Sequence, residues 1–99
     1  MKTDPVVIRV GRSDPDDVFA LFPTDPADNY GYLCTSYQHI GQHCGADYDL
    51  CIRASRPATR REAAPLLTEL RRIGYRPRVI RRASPLHRAQ RQAAARGAA

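Results

Sequence analysis

The residues that could do chemistry are concentrated in one stretch of this 99-residue chain, residues 30–48, which reads YGYLCTSYQHIGQHCGADY. It holds four of the five tyrosines, two of the three cysteines and two of the three histidines. His39 and His43 are four residues apart, the spacing that places two imidazoles on one face of a helix, as a metal site requires. Thiols and carboxylates nearby in sequence are further ligands that zinc accepts.

The spacing of these ligands argues against a closed metal site. The sequence has no Cys-x-x-Cys pair, Gly41 stands between the two histidines, and HIGQH lacks the glutamate of the zincin motif. We therefore predict no metal and no cofactor, and we interpret the histidines as hydrogen-bonded side chains. A metal-dependent enzyme centred on His39, His43 and a cysteine is the alternative.

A cysteine activated by a histidine is the other catalytic interpretation of the stretch. Cys44 directly follows His43, but neighbouring side chains on a strand point to opposite faces, so these two would not meet. Cys34 or Cys51 with His39 leaves a thiol enzyme open. The chain has no phosphate-binding loop, no Gly-x-Ser-x-Gly elbow and no dinucleotide-binding fingerprint. The sequence favours a protein that is not an enzyme.

Aromatic and amide side chains of the same stretch are suited to binding. Tyrosine rings stack on unpaired bases and are frequent hot spots of protein interfaces. We expect Tyr32 and Tyr48 to lie in the core instead. The binding residues predicted in this stretch are Tyr30, Tyr37, Gln38, His39, Gln42 and His43.

Charge is distributed unequally along the chain, whose net charge is +6. Residues 1–52 carry three basic residues and eight aspartates, a net charge of −5, whereas residues 53–99 carry thirteen arginines and two glutamates, a net charge of +11. This split favours a nucleic acid or an acidic protein as partner, with a solvated basic surface as the alternative. The arginines added to the predicted site are Arg71, Arg72, Arg76 and Arg78.

Hydrophobic periodicity predicts an α+β fold of order ββββαβ, with a mainly antiparallel sheet of four to five strands. Alternating or continuous apolar residues predict strands over 6–10, 18–22, 32–38 and 48–54, the last with Tyr48, Leu50, Ile52 and Ala54 inward. Residues 39–47 would connect the last two. A short edge strand is predicted over 76–82, where arginines and a proline protect an exposed edge.

One amphipathic helix is predicted to cover a face of this sheet. Thr59 and Glu62 form a capping box, and Gly74 predicts a Schellman end in which Tyr75 folds back onto Leu70. Pro65 requires either a late start or a bent first turn. The apolar stripe consists of Ala63, Leu66, Leu67, Leu70 and Ile73.

The length of the chain predicts a single domain over residues 1–83, followed by an Arg- and Ala-rich helical or frayed tail over 84–99. Ser84-Pro85 is a typical helix start, but the following residues have little apolar face. The short apolar runs and the charged N-terminus predict a cytoplasmic protein with no membrane segment and free thiols.

The segments ALFP, YGYLCTSYQHIGQHCGADY, RPAT and RRIGY resemble a family of small uncharacterised bacterial and phage proteins, over residues 6–83. The resemblance carries no activity and no site residue. It implies a setting in phages and mobile elements, where small proteins often bind host machinery and inhibit host defence. We therefore predict a binding protein that docks on nucleic acid or on a protein that handles it. A homodimer formed through an exposed sheet edge is a further alternative.

Overall fold

The computed structural model describes residues 2–38 and 42–97 and confirms an α+β fold with a mainly antiparallel sheet. Helices pack on both faces of this sheet. The elements are β1 (Asp4–Gly11), β2 (Val18–Pro26), β3 (Cys34–Gln38), β4 (Gln42–Ala46), α1 (Tyr48–Arg53), β5 (Ser55–Pro57), α2 (Arg60–Arg72), β6 (Pro77–Val79) and α3 (Pro85–Gly97).

The sheet has the strand order β4-β3-β2-β1-β5, and β6 pairs with β1 in parallel. β5 pairs with the end of β1, where Arg9 lies opposite Pro57, and β6 pairs with its beginning, where Val6 lies opposite Val79. Two short strands of opposite direction therefore share one edge of β1. At the other end of the sheet, the outer edge of β4 pairs with no other described strand.

Alternation along the strands divides the core into two clusters, one on each face of the sheet. The α2 face buries Val6, Ile8, Ala20, Phe22 and Tyr37 against Ala63, Leu66 and Leu70. The opposite face buries Val7, Leu21, Cys34 and Tyr48 beneath α1 and the segment before α3.

The ends of α2 follow the sequence signals. The capping box of Thr59 and Glu62 is confirmed, and Gly74 has φ 112°. The Tyr75 N–H donates to the Leu70 carbonyl at 2.9 Å, which is the long bond of a Schellman motif. Pro65 lies inside the helix, so the helix begins before it rather than late. Its side of the helix is exposed, and water can solvate the carbonyl left without a donor.

Two predictions about strands are wrong. Residues 48–53 form α1 rather than a strand, because Asp47 caps the helix by accepting the Leu50 N–H at 3.1 Å. Leu50, predicted to point inward, is 55% exposed. The predicted connection 39–47 instead contains β4, since pairing with β3 outweighs the low strand propensity of Gly45.

A buried arginine completes the end of α1. Arg9 donates from Nη2 to the carbonyls of Ile52 at 3.0 Å and Ser55 at 2.8 Å, and from Nε to the Ser55 hydroxyl at 2.9 Å. The Ile52 carbonyl lies in the last turn of α1, where a cation suits the helix dipole, and the Ser55 carbonyl and hydroxyl tie the following β5 to the same guanidinium.

The C-terminal Arg- and Ala-rich helix is confirmed as α3, and it packs beside β2. Its Arg91 is buried and donates to the carbonyls of Gly31 at 2.8 Å and Pro23 at 3.0 Å. Gly31 has φ 76°, and a Cβ there would lie 2.7 Å from the Cα of Gln92. In the part of the chain that the structure describes, every helix is too short or too polar to cross a membrane.

Candidate functional site

An aromatic cleft opens where β3 and β4 meet the end of α2. Its cavity, of about 410 Å³, is lined by Tyr37, His43, Ile73, Gly74 and Tyr75, and we call these residues the aromatic cleft. Tyr37 pairs with His43 across β3 and β4, so both side chains project from the same face of the sheet. Their ring centroids are 4.7 Å apart in an edge-to-face arrangement.

The turn after α2 supplies the third ring of the cleft. The Schellman motif at Gly74 reverses the chain and carries Tyr75 over the sheet, where its ring stacks on Phe22 at 4.7 Å. The Tyr75 hydroxyl lies 3.0 Å from His43 Nε2. Ile73 remains 47% exposed at the rim. The sequence predicts this turn, but it carries no signal that connects Ile73 and Tyr75 with the histidine stretch.

Buried and exposed groups have different roles in the cleft. Tyr37 is 2% exposed, and its hydroxyl donates to a carboxylate oxygen of Glu69 on α2. Burial raises the pKa of Tyr75, with smaller contributions from Asp25 and Asp4, so this hydroxyl stays protonated at neutral pH. His43 is exposed. The cleft therefore presents an imidazole, a neutral hydroxyl and aromatic edges, which can stack on and hydrogen-bond a planar ligand.

Three of the predicted arginines adjoin the cleft in the chain. Arg71 and Arg72 end α2 immediately before Ile73, and Arg76 follows Tyr75. Arg71 and Arg72 are exposed, and neither forms an ion pair or a side-chain hydrogen bond with another described residue. The backbone N–H of Arg76 donates to Asp4 Oδ2 at 2.7 Å, which fixes the chain beside the cleft.

Other predicted residues lie away from the cleft. Arg78 alternates with Val79 on β6 and donates from Nε to Thr3 Oγ1 at 3.3 Å. Because Val79 lies on the α2 side of the sheet, Arg78 projects to the other side. The side chain of Gln38 likewise projects from the face of the sheet opposite to that of Tyr37, and its Nε2 donates to Asp17 Oδ1 at 3.0 Å.

Tyr30 lies at the other end of β3, in the loop before Cys34. It is 69% exposed and stacks on Tyr32 with ring centroids 5.8 Å apart. Tyr32 is itself 68% exposed, so the prediction that it lies in the core is wrong. Tyr48 is 8% exposed and its hydroxyl accepts the Ala83 N–H at 2.7 Å, so the same prediction for Tyr48 is confirmed.

His39 and Gln42 are the two remaining residues of the predicted binding stretch. His39 lies outside the described residues. Gln42 opens β4, where its backbone pairs with Gln38. The structure thus brings Tyr37 and His43 together with the end of α2, and separates them from Tyr30, Gln38 and Arg78.

The two buried or partly buried thiols, those of Cys34 and Cys51, are not activated for nucleophilic chemistry. All three cysteines are free. Burial raises the pKa of Cys34 to about 11 and also raises the pKa of Cys51, and both shifts reduce the fraction of reactive thiolate. Cys44 is exposed, but it alternates with His43 along β4 and faces the opposite side. Within residues 2–38 and 42–97, no three His, Cys, Asp or Glu side chains are grouped to hold a metal.

Comparisons with models of protein families, with curated proteins and with solved structures find no match to this chain.

Proposed function

We propose that this protein is not an enzyme but binds single-stranded nucleic acid, and that the aromatic cleft and the arginines beside it form the binding surface. The observation that carries the proposal is the position of Arg71 and Arg72 at the end of α2, exposed and unpaired among the described residues, next to a cleft with an exposed imidazole. Proteins that bind single strands combine these two parts, cations for the phosphates and rings for the bases.

The type of ring contact favours a single strand over a duplex. A ring can stack on a base only where the base is unpaired, because bases in a duplex are covered by their neighbours. His43 is the exposed ring of the cleft, while Tyr37 and Tyr75 are held from behind by Glu69 and Phe22. The two tyrosines thus form a rigid support, and the imidazole forms the contact surface.

The resemblance to phage and mobile-element proteins gives this activity a setting. A small protein that holds single-stranded nucleic acid in a host cell would compete with host machinery that uses the same strands. Inhibition of a host defence that acts on nucleic acid is therefore the cellular role that we propose for it.

Fluorescence anisotropy with a labelled oligonucleotide tests the binding. We expect wild-type protein to bind single-stranded DNA or RNA at low salt and to bind the corresponding duplex more weakly. The double variant Arg71→Ala/Arg72→Ala should bind about tenfold or more weakly, and the dependence of log K on log salt should fall by about 1.4, at about 0.7 for each lost phosphate contact. His43→Ala should lose about tenfold, the value of one stacked base.

A matched control separates this site from general basic charge. Arg53→Ala/Arg96→Ala removes two exposed arginines from other elements and leaves the net charge equal to that of the first double variant. The control should keep its affinity within about twofold. Equal losses in both double variants, or tighter binding of duplex than of single strand, would refute the proposed site.

A further inference from the structure

A second concave surface lies on the same face of the sheet, between α2 and β6, and we call it the α2–β6 groove. Its cavity has a volume of about 660 Å³. Ile8 forms the floor, Ala63 and Leu67 of α2 form one wall, and Val79 lies on the opposite side. Val79 is 53% exposed although it projects from the sheet on its α2 face.

The groove follows from the way that β5 and β6 share the edge of β1. The Ala58 N–H donates to the Ile8 carbonyl at 3.1 Å, and the Ile80 N–H donates to the Val6 carbonyl at 2.9 Å. The two segments approach β1 from opposite directions, so they meet near Ile8 and then diverge. Ile8 at this point is buried, but Val79 remains 53% exposed and Leu67 is half-buried, so the apolar surface that a ligand could reach lies on the two sides of the gap.

Arginines flank the groove at both sides. Arg60 at the start of α2 and Arg81 after β6 both line it, both are exposed, and neither has a carboxylate partner among the described residues. The nearby Arg56 is satisfied by Glu62, at 2.8 and 2.7 Å. The position of Arg60 is also unfavourable for stability, because a cation in the first turn of a helix opposes the helix dipole.

We propose that the α2–β6 groove binds an acidic peptide segment of a partner protein. Apolar side chains of the peptide would pack on Val79 and on the half-buried Leu67, and its carboxylates would pair with Arg60 and Arg81. Charge complementarity selects the acidic partner. The apolar lining selects a peptide over a nucleic acid, because none of the described residues that line this groove has a ring that could stack on a base. The proposal uses none of the residues of the aromatic cleft.

Synthetic peptides test the proposal directly. The probe is a fluorescein-labelled peptide in which Glu and Asp alternate with Leu and Val, and its matched forms replace Leu and Val by Ser, or Glu and Asp by Lys. We expect the acidic apolar peptide to bind at low salt with Kd below about 1 mM. In methyl NMR spectra, the signals of Ile8 and Val79 should shift on binding.

Charge reversal then locates the contact. Arg60→Glu/Arg81→Glu should weaken the acidic peptide about tenfold or more and should gain affinity for the lysine peptide, which also shows that the variant is folded. Arg53→Glu/Arg96→Glu makes the same charge change elsewhere and should keep the binding of the acidic peptide. Arg71→Ala/Arg72→Ala should leave it unchanged, so a failure of the aromatic cleft and a failure of this groove are distinguished.

Three results would overturn the proposal. The first two are no binding of the acidic apolar peptide at low salt, and equal binding of the form in which serine replaces Leu and Val. The third is that a single-stranded oligonucleotide displaces the peptide from the Arg71→Ala/Arg72→Ala variant. The last result would make the groove a second nucleic-acid surface.

Discussion

Replacement of Arg91 by alanine is expected to remove a large part of the stability of the fold. The Arg91 side chain is buried between α3 and the loop before β3, with 4% of the residue exposed. It donates to two backbone carbonyls, those of Gly31 and Pro23, which are held 60 and 68 residues away along the chain. Alanine would remove both donors and leave a cavity too closed for the carbonyls to be fully solvated.

The magnitude follows from these contacts. A hydrogen bond from a charged donor contributes about 1.5–3 kcal/mol, and a buried acceptor left without a donor carries its full desolvation cost. Two such bonds give an expected loss of about 3–6 kcal/mol. Because small domains are stable by only about 5–15 kcal/mol, Arg91→Ala should lose a large fraction of the free energy of unfolding.

Arg88→Ala provides the control, since Arg88 lies on the same helix and differs chiefly in exposure. Its ion pair with Asp49 is 2.7 Å long, but the two side chains are 54% and 62% exposed, so the loss should be about 1 kcal/mol or less. Urea unfolding followed by far-UV circular dichroism measures both free energies.

The reasoning would be refuted by an Arg91→Ala loss no larger than that of Arg88→Ala. Where Arg91→Ala fails to fold, Arg91→Lys replaces it, because an ammonium keeps the charge and can keep one of the two hydrogen bonds. Arg91→Lys should then show an intermediate loss of about 1.5–3 kcal/mol.

Two further predictions concern a buried thiol and a glycine. Because burial raises the pKa of Cys34 to about 11 from 9.0, the unfolded chain releases this proton first. Stability should be complete well below pH 9 and fall by about 1 kcal/mol by pH 10. In urea unfolding, Cys34→Ala should reduce this slope, to which the buried Cys51 also contributes, whereas Cys44→Ala should leave the slope unchanged. Gly31→Ala should cost about 2–4 kcal/mol, because a Cβ would lie 2.7 Å from the backbone of α3 and would also be strained by the positive φ. Gly74→Ala has open space around it and should cost only about 1–2 kcal/mol, from the positive φ alone. Equal losses in thermal unfolding would show that α3 moves to accept the added methyl group.

Elements with a complete local signal could be predicted from the sequence. The first three strands have alternating or continuous β-branched and aromatic residues, and α2 has a cap, a stripe and a glycine stop in register. The strand prediction for residues 48–53 is wrong because two patterns overlap there. Tyr48, Leu50 and Ile52 alternate as in a strand, while Tyr48, Cys51 and Ile52 also fit one face of a helix. Asp47 decides between the two by capping α1, and an aspartate directly before the segment is the sequence signal for that cap.

The candidate site was only partly predictable because it combines distant parts of the chain. Tyr37 and His43 lie in the stretch rich in tyrosine and histidine. Tyr75, whose hydroxyl contacts His43, lies 32 residues further along the chain. The buried roles of Arg9 and Arg91 left no signal at all. Both residues donate mainly to backbone carbonyls, and such acceptors are provided by every residue, so no pattern of side chains marks them.

The shared edge of β1 has a consequence for how the chain reaches its folded state. β1 is synthesised before its partners, and β6, which pairs with the beginning of β1, starts only at Pro77. Until then the edge of β1 at Asp4–Val6 is open to other chains, even after β5 has paired with the end of β1. Such long-range pairing gives a high contact order and slow folding. We therefore expect products truncated before β6 to aggregate rather than accumulate as partly folded domains.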